Sequence, residues 1–386
     1  MRLPLLSLML VVFGLTTGEF AIAGILPDVA GDLTVPVSSA GLLVTAYALG
    51  MIVGGPVLTV LTARVPRRRL VPGLVGFAVL ANLGSAVAPN YPVLVVTRFA
   101  AGLIVATFFA VAIATAVRNA PEGKAASAIA QVALGMNLGL VLGTPIGTLI
   151  GQHLGWRATF AVVATCAALG LLMVLRFVTE LPPAATGSVF GELRVLADRE
   201  LLLGIALTAL GSLGVVAVFT YIAPLLTEVA GFGAAAVPVL LLVYGAGAVV
   251  GNQFGGWLAD RALLPALTGL LTALAAALVL FWAAGESPAA AAVLVFVLGT
   301  LAFAVIPGMQ TRVIGAAAAA PTLGVALNAS GYQVAAAIAG RLGGWTIAEG
   351  PGLRTLPLLA AALTLAGATL ALHLLRRDRR RLPVTA

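Results

Sequence analysis

The chain has 386 residues, 61% of them hydrophobic and only 9% charged, and a mean hydropathy of +1.14. A water-soluble domain of this length cannot cover its surface with so few polar groups, so most side chains must face lipid or other buried helices. The net charge of +8 does not indicate nucleic acid, because the basic residues recur in alternate short loops instead of gathering in one patch.

A helix that crosses a bilayer needs about 20 apolar residues. Stretches of that kind centre on about residues 15, 49, 79, 104, 140, 167, 212, 246, 274, 297, 334 and 365, separated by short loops. The first carries Glu19, the one acidic residue deep inside a span, and runs on to Pro27. Its opening (Arg2, an apolar run, then Ala21-Ile22-Ala23) also has the outline of a cleavable signal peptide, a reading that the internal repeat described below argues against. The fourth stretch carries Arg98. In the fifth, Gly135, Gly139, Gly143, Gly147, Gly151 and Gly155 stand four apart, with Pro145 among them. On a helix such residues form one bare stripe that lets another helix approach closely in lipid. The eighth has a shorter stripe, Gly247, Gly251 and Gly255. Residues 179–199 contain Pro182, Pro183 and Gly187 and read as a cytoplasmic linker, with a short surface helix expected from Val189 to Ala197. Five arginines, Arg376, Arg377 and Arg379 to Arg381, close the last stretch and read as a stop signal beside anionic lipid.

With the N-terminus in the cytoplasm, inner segments hold 17 of the 21 basic residues, and the outer loops hold only Arg157 and Arg354. This asymmetry places both termini inside. Cys166 is the single cysteine and lies mid-span, and the two histidines, His153 and His373, lie far apart at span ends, so neither a disulfide framework nor a metal site is expected.

A shift of 197 residues lays the first two spans on the seventh and eighth without a gap. Gly14 meets Gly211, Ile25 meets Ile222, Pro27 meets Pro224, Tyr47 meets Tyr244, Gly50 meets Gly247, Gly54 meets Gly251 and Arg64 meets Arg261. A constant offset through two spans and their loop marks a duplication. The expected fold is therefore an all-α membrane protein of twelve transmembrane helices in two pseudo-symmetric halves of six. Residues 1–178 form the first half, 179–199 the linker, and 200–386 the second half with its basic tail.

The eighth span ends Gly255-Gly256-Trp257-Leu258-Ala259-Asp260-Arg261, and the second ends Gly54-Gly55-Pro56 ahead of Arg64 and Arg67-Arg68-Arg69. These loops resemble the 2–3 and 8–9 loop motif of the major facilitator superfamily of secondary transporters. The first copy departs from it, with Ala63 at the usual aspartate and Pro66 at a glycine, so a charge relay rests on Asp260 with Arg261. Thr97-Arg98-Phe99-Ala100-Ala101-Gly102 is similar to the fourth-span motif of that family, and Gly139 through Gly143-Thr144-Pro145-Ile146-Gly147 to its antiporter motif. Gly18-Glu19-Phe20, the run Leu26 to Leu33, and Gly155-Trp156-Arg157 resemble bacterial chloramphenicol-efflux and arabinose-efflux-type permeases.

The resemblance implies two six-helix bundles with a cavity between them, lined in the first bundle by spans one and four. Glu19 lies about eight residues inside the outer end of its span and Arg98 about seven inside its own, which puts both roughly 10–12 Å below the outer surface. A carboxylate there depends on a partner or on water; Glu19 is the expected proton carrier and Arg98 its expected partner. Tyr47, Phe108, Phe109, Asn137, Tyr221, Tyr244, Asn328, Tyr332 and Gln333 are the expected cavity residues, with Arg341 either facing an anionic substrate or snorkelling outward. The family fold sets span five beside span eight, so Gly139, Gly143, Pro145 and Gly147 are expected to face Gly251 along a rocking seam, with Arg64, Asp260 and Arg261 gating the cytoplasmic side. The sequence contains no catalytic triad, metal cluster, phosphate loop or nucleotide-hydrolysing domain. The expected activity is export of a small organic molecule, chloramphenicol-like, from the inner membrane in exchange for protons. No cofactor is expected, and the protein should act as a monomer. The alternatives are sugar or nucleoside export by the same mechanism and, less in keeping with the antiporter motif, proton-coupled import.

Overall fold

The computed structural model describes residues 3–62, 65–118, 125–178, 198–317 and 321–381, and all regular structure among them is helical. Arg64 and the linker residues 179–197, including the expected surface helix, lie outside the described residues. Ten helical stretches are long and apolar enough to cross a bilayer. One of them, Ala234–Ala284, holds two spans, because Ala262 leaves helical geometry (φ −157°, ψ 81°). Pro321–Ala348 supplies the last of the twelve. In chain order they are α1 (Leu3–Phe20, continued past Ala21 by Ile22–Asp32), α2 (Leu42–Thr62), α3 (Arg67–Ala86) and α4 (Tyr91–Arg118). Then come α5 (Ala125–Leu138, a π-helical turn Gly139–Gly143, and Thr144–Leu154) and α6 (Trp156–Phe177). The second set is α7 (Arg199–Thr220, continued by Ile222–Pro224), α8 (237–261), α9 (263–284), α10 (Pro288–Ala316), α11 (Pro321–Ala348) and α12 (Leu356–Arg381).

The chain divides into two compact units, Met1–Gly187 with Gly233–Leu242, and Ser188–Phe232 with Val243–Ala386. In the first unit α2 lies directly on α4. A Cβ at Gly50 would strike the Phe99 carbonyl, one at Gly54 the Leu103 carbonyl, and one at Gly102 the Tyr47 carbonyl. In the second unit α8 lies on α10 in the same way: Gly247 abuts Phe296, Gly251 abuts Thr300, and Gly299 abuts Tyr244. Gly50, Gly54, Gly102 and Tyr47 map onto Gly247, Gly251, Gly299 and Tyr244 at the offset of 197. The duplication is thus carried by backbone-to-backbone contact that only glycine permits.

Each glycine stripe packs against a helix of its own unit. Within the first unit, Gly135 faces Met9 of α1, and Cβ atoms at Gly139, Gly147 and Gly151 would lie 2.7 Å from Thr16, 2.9 Å from Ala21 and 2.5 Å from Ile25. All of the stripe but Gly155 packs on α1. The α8 stripe, down to Gly255 against Ala304, is spent on α10. Each bundle must bring backbones close to pack in lipid, and that need consumes the small residues. The outer start of α8 alone clusters with the first unit, where Gln152 Nε2 donates to the Ala234 carbonyl (2.9 Å).

The π-helical turn falls where α5 meets Pro145. Proline has no N–H and its ring displaces the carbonyl four residues back. The helix widens over Gly139–Gly143, and Thr144 Oγ1 donates to the Gly139 carbonyl (3.4 Å). A similar wide turn, Leu225–Val229, follows Pro224 in the second unit.

Gly251→Ala is expected to destabilise the protein by about 1–3 kcal/mol, since the new methyl meets rigid backbone. Gly256→Ala, one turn on with nothing within 4 Å of its Cβ position, should raise stability slightly through helix propensity. Thermal unfolding of the two variants in detergent checks the pair.

Candidate functional site: a buried arginine in the first unit

The α2–α4 contact sets the geometry of the site. Arg98 stands one turn before Gly102, and Tyr47 one turn before Met51, so the close approach at Gly102 lays the Tyr47 ring beside the Arg98 side chain. The guanidinium carbon is 4.4 Å from the Tyr47 ring centroid and 5.2 Å from that of Phe160 on α6. Arg98 is fully buried, and Nε, Nη1 and Nη2 all lack a hydrogen-bond partner. Aromatic faces offset part of the cost of desolvating a cation, but a guanidinium keeps its proton and five donors. The place calls for an anion.

Glu19 supplies the nearby charge. It is half-buried on α1, and its carboxylate acts electrostatically on both Arg98 and Tyr47. The Tyr47 hydroxyl donates to the Leu15 carbonyl at 3.5 Å, one turn below Glu19. Two residues above Glu19 the helix breaks at Ala21, where Gly24 N–H turns to the Ala21 carbonyl (3.0 Å), a step ahead of Pro27. Asn82, on α3, is not among the expected residues. It is 2% exposed, donates through Nδ2 to the Ala78 carbonyl (2.8 Å) and leaves Oδ1 without a partner. Its signal was one amide in the otherwise apolar run Val79 to Leu83. Ser85 and Thr97 bond to each other at 3.0 Å and tie α3 to α4 beside it.

The expected cavity residues separate. Phe108 is fully buried in the apolar core of the first unit, and Tyr221 is fully buried in the second unit. The Tyr221 ring fills the notch above Gly343, and its hydroxyl donates to the Gly340 carbonyl at 2.8 Å. Both side chains hold helices together. Phe109 is half-buried against the same core as Phe108. Tyr244 is buried with its ring 4.9 Å from Phe219 and 6.4 Å from Phe303. Asn328 Oδ1 accepts from Thr208 Oγ1 at 2.7 Å, Tyr332 is half-buried, and Gln333 is buried. Asn137 and Arg341 are exposed on α5 and α11. Among the expected gating residues, Asp260 is exposed, while Arg261 lays its guanidinium 3.6 Å over the Trp257 ring and donates to the Trp257 carbonyl (3.4 Å).

The remaining charges pin helix ends. Arg312 of α10 binds Glu200 of α7 (3.0 Å) and Asp378 of α12 (3.1 Å), and Arg377 also binds Glu200. Arg377 is therefore part of a four-charge knot and not simply a lipid-facing tail. Arg157 binds Asp32, donates to the Ala88 carbonyl (3.0 Å) and stacks on Trp156 (4.2 Å). Arg354 binds Glu286 at 3.0 Å. Arg157 and Arg354 are thus both ion-paired, and they are repeat mates: each follows by two residues a glycine of positive φ, Gly155 (85°) and Gly352 (97°), at the offset of 197.

The hydrogen bond from Arg157, then that from Trp156, holds the Asp32 carboxyl below its ordinary value of 3.8. A depressed carboxylate stabilises the fold above that value and stops doing so as pH falls through its folded-state value. The difference in melting temperature between the wild type and Asp32→Asn is expected to be small, because the pair is exposed. It should be present at pH 7 and vanish below about pH 3.8.

Comparison with known proteins bears on the family. The family model of the Major Facilitator Superfamily matches residues 8–322. The chain is 33% identical to the inner membrane transport protein YdhP of Escherichia coli K12, over 99% of this chain and 97% of that one. It is 38% identical to a chloramphenicol resistance protein of Streptomyces lividans (96% and 95% covered). It is 30% identical to a probable sugar efflux transporter of Mannheimia succiniciproducens (83% and 81%). Among solved structures, a bacterial homolog of the human lysosomal transporter Spinster superposes with a TM-score of 0.73 at 18% identity, covering 95% of each chain.

Proposed function

The chain belongs to the major facilitator superfamily, a multi-pass membrane transporter family, and on that premise we propose that it exports a small organic molecule of the phenicol kind in exchange for protons. The observation that carries this reading is the buried Arg98, flanked by two aromatic rings and left without hydrogen bonds, with Glu19 as the nearby charge. An outward-facing protein takes a proton onto Glu19, and substrate leaves. An inward-facing protein loses that proton to the cytoplasm, and substrate rebinds. Proton and substrate are coupled only if each prefers a different state. The resemblance to a chloramphenicol resistance protein over nearly the whole chain supports the phenicol class. With one intramembrane acid, one proton per cycle is the simplest stoichiometry. A neutral substrate then moves one net charge, worth about 2.3 kcal/mol per 100 mV.

A second reading, export of a sugar by the same cycle, is favoured by the resemblance to the probable sugar efflux transporter. Both readings place the protein in the inner membrane as a monomer.

Everted membrane vesicles separate them. An imposed pH gradient is expected to drive chloramphenicol uptake in vesicles carrying the wild type, and Glu19→Gln should reduce it to the level of empty vesicles. Uptake unaffected by Glu19→Gln would remove Glu19 from the cycle and turn attention to Asp260. Gradient-driven uptake of a sugar in place of the drug would establish the second reading.

A further inference from the structure

Three buried polar groups converge on the segment Gly18–Glu19, one from each of α2, α3 and α4. Tyr47 and Arg98 occupy the side of α1 that Leu15 and Glu19 share, one turn apart. Asn82 approaches from α3, with its Oδ1 3.4 Å from the position a Cβ would take at Gly18. That oxygen is buried, has no hydrogen-bond partner, and belongs to an amide whose other end is fixed to the Ala78 carbonyl. An amide held by one end with its carbonyl oxygen empty is an acceptor in waiting, since a buried unsatisfied acceptor is costly.

The two sides of α1 therefore offer opposite chemistry. Arg98 presents donors only and suits a carboxylate. Asn82 Oδ1 presents an acceptor only and suits a carboxylic acid, whose O–H is a donor. We propose that Asn82 Oδ1 is the acceptor for the protonated form of Glu19, so that the carboxyl group turns from Arg98 to Asn82 when it takes up a proton. Asn82 is then a positioning residue that stabilises the loaded carrier; it exchanges no proton itself. This rests on the reading of Glu19 as the proton carrier. The absence of a side chain at Gly18 brings Asn82 close to α1: a methyl there would lie 3.4 Å from Asn82 Oδ1 and 3.0 Å from Val163.

Other ionisable groups facing this part of α1 are few among the described residues. They are Arg98 from α4, Tyr47 from α2 and, a turn and a half lower, Cys166 from α6 against Gly14.

The test is the infrared difference spectrum of the full-length protein in lipid between acid and neutral pH, together with the pH dependence of drug exchange. The wild type is expected to show a protonated-carboxyl band that Glu19→Gln removes. In Asn82→Leu, which removes the acceptor and nearly keeps the volume, the band should move to higher frequency, as for a carbonyl whose O–H is unbonded. The exchange midpoint should fall by about one pH unit, the equivalent of one lost hydrogen bond. Asn82→Thr, which keeps an acceptor oxygen, should restore most of both. A band removed by Glu19→Gln but unmoved in Asn82→Leu would overturn the role of Asn82 and leave Glu19 as carrier. A spectrum with no band sensitive to Glu19→Gln would overturn the carrier reading itself, and this inference with it.

Discussion

A guanidinium enclosed by protein at membrane depth is the constraint around which the first unit is built. Placing an arginine at the centre of a lipid-embedded helix costs about 3 kcal/mol even by the mildest scale, and Arg98 is fully buried. The glycine contacts between α2 and α4 bring the Tyr47 ring beneath it, and α6 brings Phe160. Those rings return a fraction of the cost and also shut out water that would hydrate the charge. The guanidinium is thereby left responsive to whatever anion reaches it. Glu19, just before the break in α1, is the group placed to do so.

The second unit repeats the frame without the charge. Tyr244 stands where Tyr47 does and Gly299 where Gly102 does, and the α8–α10 contact has the same glycine geometry as α2–α4. The position matching Arg98 is Val295, and that matching Glu19 is Val216. Tyr244 accordingly packs between Phe219 and Phe303 and has no guanidinium beneath it. Duplication supplied two equal scaffolds, and the polar pair is confined to one of them. In the second, ion pairs among the described residues include the α7–α10–α12 knot and the pair of Arg354 with Glu286. Such pairs fix helix ends to one another.

Much of this is legible in the chain itself, and the failures share a cause. Span number, the repeat and the choice of Glu19 and Arg98 as candidates follow from hydropathy, a constant offset and the rarity of ionisable residues in apolar runs. What spacing cannot give is the partner of a surface. The six-glycine stripe announces close contact on one face of α5 but not with which helix; within the first unit, five of its glycines meet α1. An isolated aromatic is equally ambiguous: Phe108 and Tyr221 are enclosed by their own bundles, whereas Tyr47 touches the charged group. Asn82 was overlooked because a single amide in a membrane helix is common; only its empty Oδ1, one residue from Glu19 along α1, gives it meaning.

The central claim, that one carboxyl group couples proton to substrate, is tested most directly by counting protons. Purified protein in weakly buffered detergent, loaded with protons at mildly acid pH, is mixed with saturating chloramphenicol and the pH change recorded. Reciprocal linkage requires that a substrate favouring the unprotonated carrier expel its proton. The account predicts release of up to one proton per bound drug in the wild type and none in Glu19→Gln with drug still bound. Equal release from both proteins would contradict it.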